Sequence, residues 1–312
     1  MMSWRSFHPH EEPFMLCRHL VVIVALALGV VVCAPPARAA ANDTATPPAE
    51  GPWMAAHDAS PAFAPDGDTV VFTRGSGTAR RLYIAQRHDG AWSAPVRAPF
   101  SNQWMDFEPT MAPDGSYLVF VSNRPANGTG KALDGNWGGK AYPARGGNLW
   151  RVDRAGDGWG TPQRLSEVVN AGTSIFSPTV AADGSLTFVR VDPANGTFRL
   201  YRSRQIHGRY QAAQALALGG GDANSDYDPT VAADGSFLVF SSDRPPAPSN
   251  GGDLFIAFAT HNGWNTPTDL GVVGDEARLG PDHTTLYFSA ADHRIHRLML
   301  APWLAQRATA KP

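Results

Sequence analysis

One short pattern recurs along this 312-residue chain, and that repetition constrains the fold more than any other feature of the sequence. Four segments keep register from a leading x-Pro through an Asp-Gly turn into an apolar run. They are Ser60-Pro-Ala-Phe-Ala-Pro-Asp-Gly-Asp-Thr-Val-Val-Phe72, Glu108-Pro-Thr-Met-Ala-Pro-Asp-Gly-Ser-Tyr-Leu-Val-Phe120, Ser177-Pro-Thr-Val-Ala-Ala-Asp-Gly-Ser-Leu-Thr-Phe188 and Asp228-Pro-Thr-Val-Ala-Ala-Asp-Gly-Ser-Phe-Leu-Val-Phe240. A fifth, Glu276-Ala-Arg-Leu-Gly-Pro-Asp-His-Thr-Thr-Leu-Tyr-Phe288, is degenerate but in register. The leading positions 61, 109, 178, 229 and 277 are separated by 48, 69, 51 and 48 residues. The long interval coincides with a glycine-rich insertion over residues 123–147.

A second half follows each of the first four copies: an apolar-aromatic pair, a turn, then another aromatic. The pairs run from Tyr83 to Trp92, Trp150 to Trp159, Tyr201 to Tyr210 and Phe255 to Trp264, nine residues apart each time. Asp-Gly turns permit the positive φ that hairpins demand. Asp66-Gly67, Asp114-Gly115, Asp183-Gly184 and Asp234-Gly235 are therefore expected to join the first two strands of each unit. Asp89-Gly90, Asp157-Gly158, His207-Gly208 and Asn262-Gly263 are expected to join the third and fourth. The second strands, such as Leu118-Val-Phe120 and Leu238-Val-Phe240, are apolar on both faces, as sheets shielded by neighbours should be. Four strands in about 48 residues is a propeller blade. The expected fold is all-β, a propeller of five four-stranded blades over residues 58–303, with a tail at 304–312. The fifth unit shows no fourth strand, so the segment around Pro47–Ala56, within residues 41–57, is expected to close the ring.

Residues 19–34 form the only long apolar run, too short for an ordinary membrane span, and Ala37-Arg38-Ala39 follows as a cleavage signal. Residues 1–40 are thus expected to direct export and be removed, with translation starting at Met1 or at Met15. Attachment through a lipid on Cys33 is disfavoured by Val32 before it. Both cysteines, Cys17 and Cys33, fall in that segment, so the mature domain must rest on its core alone. Cleavage leaves 23 basic and 26 acidic groups, a balance that offers nucleic acid no basic face.

Pro109-Thr-Met-Ala-Pro-Asp-Gly-Ser-Tyr-Leu-Val-Phe-Val-Ser-Asn-Arg124 and Pro229-Thr-Val-Ala-Ala-Asp-Gly-Ser-Phe-Leu-Val-Phe-Ser-Ser-Asp-Arg244, with Gly252-Asp-Leu-Phe255, resemble the WD-like repeats of the TolB propeller family. The likeness covers about residues 58–300. TolB propellers have six blades, which makes six the alternative count here. The resemblance implies a periplasmic propeller that works by protein contacts in a bacterial cell envelope.

The start of each repeat gathers Asp58, Asp106, Glu108, Asp226, Asp228, Asp275 and Glu276, from four of the five units. In a propeller these positions converge at one mouth of the central channel. Two readings stand. The carboxylates hold a hard cation such as Ca²⁺, or a polyol, or they cap backbone amides and pair with Arg124 and Arg244. Unit three, with Ile175 and Ser177, leaves the ring incomplete. Trp137, Lys140 and Tyr142 in the insertion are the candidate recognition residues, because loops on rigid scaffolds carry binding groups.

No nucleophile elbow, phosphate-cradling loop or His-based metal spacing occurs. The leading expectation is a monomeric, exported binding scaffold for an envelope protein or cell-wall glycan, without a cofactor. The alternative is a five-bladed glycoside hydrolase drawing carboxylates from Asp58, Asp106, Glu108 and Asp226.

Overall fold

The computed structural model describes residues 49–309 except 54, 222 and 246–251. The expected export segment, with Cys17 and Cys33, and residues 41–48 lie outside the described residues. What is described is a five-bladed β-propeller.

Blade one comprises β1 (Ala59–Phe63), β2 (Thr69–Arg74) and β3 (Arg81–His88), with β4 (Ala91–Trp92) and β5 (Val96–Arg97) both pairing with β3. Blade two has β6 (Asp106–Met111) and β7 (Tyr117–Ser122), then a separate hairpin, β8 (Gly135–Trp137) with β9 (Lys140–Tyr142). It resumes with β10 (Asn148–Ala155), β11 (Gly158–Trp159) and β12 (Gln163–Arg164). Blade three contains β13 (Ile175–Val180), β14 (Leu186–Val191) and β15 (Phe198–Ser203). A small ladder of β16 (Gln205–Ile206) and β17 (Arg209–Tyr210) follows, and β18 (Gln214–Ala215) pairs with β15. Blade four has β19 (Asp226–Val231), β20 (Phe237–Ser242), β21 (Asp253–Thr260), β22 (Gly263–Trp264) and β23 (Thr268–Val273). Blade five has β24 (Asp275–Leu279), β25 (Thr285–Ser289) and β26 (Ile295–Met299), followed by helix α1 (Ala301–Thr309) where the sequence suggested only a tail.

The innermost strands pack in the order β1, β6, β13, β19 and β24, and β24 returns to β1, so the ring closes. Its core lies between blades rather than within one. Val71 and Leu82 of blade one meet Leu118, Phe120 and Trp150 of blade two, and Val239 and Leu254 of blade four meet Leu286 and Phe288 of blade five. Phe72, Phe120, Phe188, Phe240 and Phe288, one per blade, are all among the fully buried side chains. Each such ring contributes roughly 1.5–3 kcal/mol by leaving water.

The first turn of each repeat is now explicit. Gly67, Gly115, Gly184 and Gly235 take φ of 74°, 73°, 76° and 70°. The Asp before each stays in ordinary backbone space, and its side chain accepts the N–H two residues on, as from Asp68, Ser116, Ser185 and Ser236. The later turn differs from expectation in two blades. Register places Asp89-Gly90 and His207-Gly208 at the bend, as anticipated, but Gly156-Asp157 and His261-Asn262 in the other two. Gly158 and Gly263 therefore stand in strands β11 and β22, because the aromatic on the outer strand holds the register, not the glycine.

The described residues among 49–57 form no strand. Ala49 N–H still donates to the Ile295 carbonyl of β26 at 2.8 Å, and Trp53 is buried among Phe63 and Phe72 of blade one and Tyr287 of blade five. One large side chain does much of the work a fourth strand was expected to do.

Candidate functional site

Every innermost strand carries a bulge at the same place, visible as a register shift against its neighbour. The bulged residue is Ser60, Glu108, Ser177, Asp228 or Glu276, with φ of 51°, 49°, 48°, 50° and 53° respectively. Five non-glycine residues held at positive φ store backbone strain, on the order of 1–3 kcal/mol each. In four blades the next residue is proline, which is tolerated because this strand is the blade's inner edge, where no ladder partner needs the N–H that proline lacks.

The bulge has a structural use. The Ser177 N–H of blade three donates to Glu108 Oε2 of blade two at 2.6 Å. The Ser177 hydroxyl reaches both Glu108 Oε2, at 3.1 Å, and Asp228 Oδ1 of blade four, at 2.7 Å. The Glu276 N–H of blade five donates to Asp228 Oδ2 at 2.8 Å, and the Glu108 N–H donates to Thr73 Oγ1 of blade one at 2.9 Å. Arg80 Nη2 lies 3.5 Å from Glu276 Oε1. The upper channel is a circle of polar latches between successive blades.

Glu108 and Asp228 are fully buried, and this governs their chemistry. Burial, then the neighbouring charges of Asp228 and Glu276, push the Glu108 carboxyl up to about 8 against the pull of Arg80 and Arg278. Asp228 rises to about 6 through burial and Glu276, despite the hydrogen bonds from Ser177 and the Glu276 N–H. Burial and mutual repulsion thus disfavour ionising both carboxyls at once.

The other sequence candidates lie two residues earlier and do something else. Asp58 is gripped by Arg74, Nε to Oδ1 and Nη2 to Oδ2, both at 2.7 Å. Asp106 receives Arg124 Nη2 at 2.8 Å, and Asp226 receives Arg244 Nη2 on both oxygens and the Ser242 hydroxyl. Burial raises the Asp106 carboxyl, opposed by Arg124, Ser122 and Ser101. The paired arginines also lie over aromatic faces: Arg74 over Phe72 and Tyr83, Arg124 over Phe120 and Trp150, Arg244 over Phe240 and Phe255. Pairing with Arg124 and Arg244 was one of the two readings, and the geometry extends it to Arg74. Asp275 is buried within β24, opposite Ser289. Of seven carboxylates, only Glu108, Asp228 and Glu276 share the inner circle. Among the described residues, no group of three or more His, Cys, Asp and Glu side chains could hold a metal ion.

The insertion is docked on blade three. Trp137 is only 2% exposed, stacks on Tyr142 at 4.1 Å and meets Phe176 edge-on. The Ser174 hydroxyl bridges to both the N–H and the carbonyl of Asn136, and the Gly139 N–H reaches the Pro193 carbonyl. Trp137 therefore anchors the hairpin, and Lys140 is the exposed member of the three.

Sequence reasoning passed over Ser177, treated as a gap in the acidic ring, although it is the hydroxyl joining two carboxylates. Its signal was positional equivalence to Glu108 and Asp228. Replacing Ser177 by alanine is expected to cost about 1–2 kcal/mol, since two buried acids lose a donor. Urea denaturation reads this directly, and an unchanged midpoint would show that the hydroxyl stabilises nothing.

No protein-family model matches this chain, and no curated protein matches it. Solved structures do. A putative TolB from Agrobacterium tumefaciens aligns at 16% identity over 75% of this chain and 69% of its own, with a TM-score of 0.49. TolB from Acinetobacter baumannii aligns at 16% over 78% of this chain and 54% of its own, at 0.45. A thermostable family-43 glycoside hydrolase aligns at 11% over 78% and 88%, at 0.52. The likeness is one of fold, a β-propeller, on which unrelated functions are built.

Proposed function

We propose that this TolB-like propeller is an exported binding scaffold of the bacterial cell envelope, engaging a protein or cell-wall glycan without transforming it. The observation that supports this reading is the state of the inner acids. Glu108 and Asp228 are wholly buried, and each accepts a backbone N–H from the following blade. Protonating a glycosidic oxygen and attacking a sugar require two acids flanking an open cleft, whereas these two are buried in the latches between blades. The acids one step outward, Asp58, Asp106 and Asp226, are held by arginines. No described helix is long and apolar enough to cross a membrane.

The test pairs binding with turnover. The domain is mixed with purified peptidoglycan sacculi and, separately, cross-linked in whole envelopes; saturable sedimentation or one discrete adduct is expected. A panel of aryl glycosides is assayed in parallel. Hydrolysis abolished by Glu108→Gln or Asp228→Asn would overturn the scaffold reading in favour of the hydrolase.

A further inference from the structure

Below the latch circle the channel opens into a cavity of about 80 Å³ lined by all five blades. The positions two residues beyond each bulge are Ala62, Thr110, Thr179, Thr230 and Arg278, and all five line it. Four are small; blade five alone projects a cation into the ring.

Arg278 is held rigidly. It is 3% exposed, Nε donates across the channel to the Pro109 carbonyl of blade two at 3.0 Å, and Nη1 donates to its own Ala277 carbonyl at 2.7 Å. Its remaining nitrogen, Nη2, is buried and has no hydrogen-bond partner. Buried guanidinium donors are almost always satisfied, because leaving one unmet is costly.

The hydroxyls beside it are biased the same way. Thr179 Oγ1 accepts the Val231 N–H at 3.1 Å, and Thr230 Oγ1 accepts the Leu279 N–H at 3.2 Å. With an acceptor site on each oxygen already used, the O–H protons remain to be donated. Glu108, Asp228 and Glu276 lie one step up the strands, where they act electrostatically on Arg278 without being part of the lining, and His283 is the other ionisable group in that lining. The cavity therefore presents donors from several directions and no side-chain carboxylate. It has room for a group the size of a carboxylate.

We propose that this cavity is a carboxylate-binding site, in which the free edge of the Arg278 guanidinium and the hydroxyls of Thr110, Thr179 and Thr230 together grip one carboxylate of a ligand. The inference deepens the binding-scaffold reading and rests on it, adding the chemistry of what is bound. The fork geometry of arginine matches two carboxylate oxygens in a way lysine does not.

Titration calorimetry with the intact domain tests it in three arms: acetate, a short peptide with a free C-terminal carboxylate, and the same peptide as its C-terminal amide. Both carboxylates are expected to bind, at a Kd of about 1 mM or tighter, and the amide is not. Acetate binding equal to the peptide's assigns the site to small free acids; a clear gain for the peptide assigns it to a chain terminus. Arg278→Lys is expected to weaken binding about tenfold. Thr110→Val, which removes a hydroxyl while nearly keeping shape, is expected to weaken it about threefold with an unchanged melting temperature. Equal binding of acid and amide, no acid binding at all, or full affinity in both variants would overturn the site. Sacculus or envelope binding that persists in Arg278→Lys would leave the scaffold reading intact while the pocket fails.

Discussion

Replacement of Trp53 by alanine is expected to destabilise the propeller by about 3–5 kcal/mol, as for a buried aromatic whose cavity cannot collapse. The ring is closed here by a side chain rather than by a strand. Trp53 sits edge-on to Phe63 at 5.9 Å, Phe72 at 6.4 Å and Tyr287 at 5.7 Å, and its Nε1–H donates to the Ala49 carbonyl at 2.9 Å. Two of those rings belong to blade one and the third to blade five, so a cavity there loosens the last interface to be made. A fall of roughly 10 °C in melting temperature follows for a domain of this size. Calorimetry on the purified domain reads it, with Trp92→Ala, a half-buried outer position, as a control expected to cost less. A melting temperature within about 2 °C of the parent would show that the N-terminal segment is not what closes the ring.

The second large effect is on pH. Glu108 and Asp228 ionise less readily in the folded protein, at about 8 and about 6 against ordinary values of 4.5 and 3.8. Between those limits the native state binds more protons than the unfolded chain, so stability falls as pH rises. Their contribution is fully present below the unfolded values and is lost as pH rises through the folded ones. One unit is worth about 1.4 kcal/mol, making the loss on the order of a few kcal/mol between pH 5 and 9. The groups facing Glu108 are Asp228 and Glu276, which raise it, and Arg80 and Arg278, which lower it. Glu108→Gln keeps an oxygen to accept the Ser177 N–H and hydroxyl but cannot ionise. The variant should match the parent near pH 5, exceed it at pH 9, and show a flatter profile between. Parallel profiles for the two proteins would mean that Glu108 is not a buried titrating group.

Much of the architecture was legible because a propeller repeats its own chemistry. An Asp-Gly turn, an apolar second strand and an aromatic at constant spacing mark each blade locally, with no need for distant contacts. The turns misplaced by one residue, at Gly156-Asp157 and His261-Asn262, show where local chemistry gave way to register. Helix α1 was missed because its few apolar residues, Trp303 and Leu304 among them, are covered only by the core that blades four and five share.

The site was legible in composition and not in role. Recurrence around the leading proline placed Asp106 and Glu108 together as acids at one mouth; the bulge at Glu108 separates them, so that one pairs with Arg124 and the other meets Ser177 of the next blade. Trp137 was read as a recognition residue from its place in an insertion loop, whereas Tyr142 of its own hairpin and Phe176 of blade three cover it. By itself the sequence determined the blade and its first turn and favoured five copies over six, since those depend on contacts within about fifty residues. Only the tertiary structure decided which acids are latches, that Arg278 keeps a buried nitrogen without a hydrogen-bond partner, and what closes the ring. Those depend on groups that meet across the channel from different blades, as the Arg278 side chain and the Pro109 carbonyl do over 169 residues of chain.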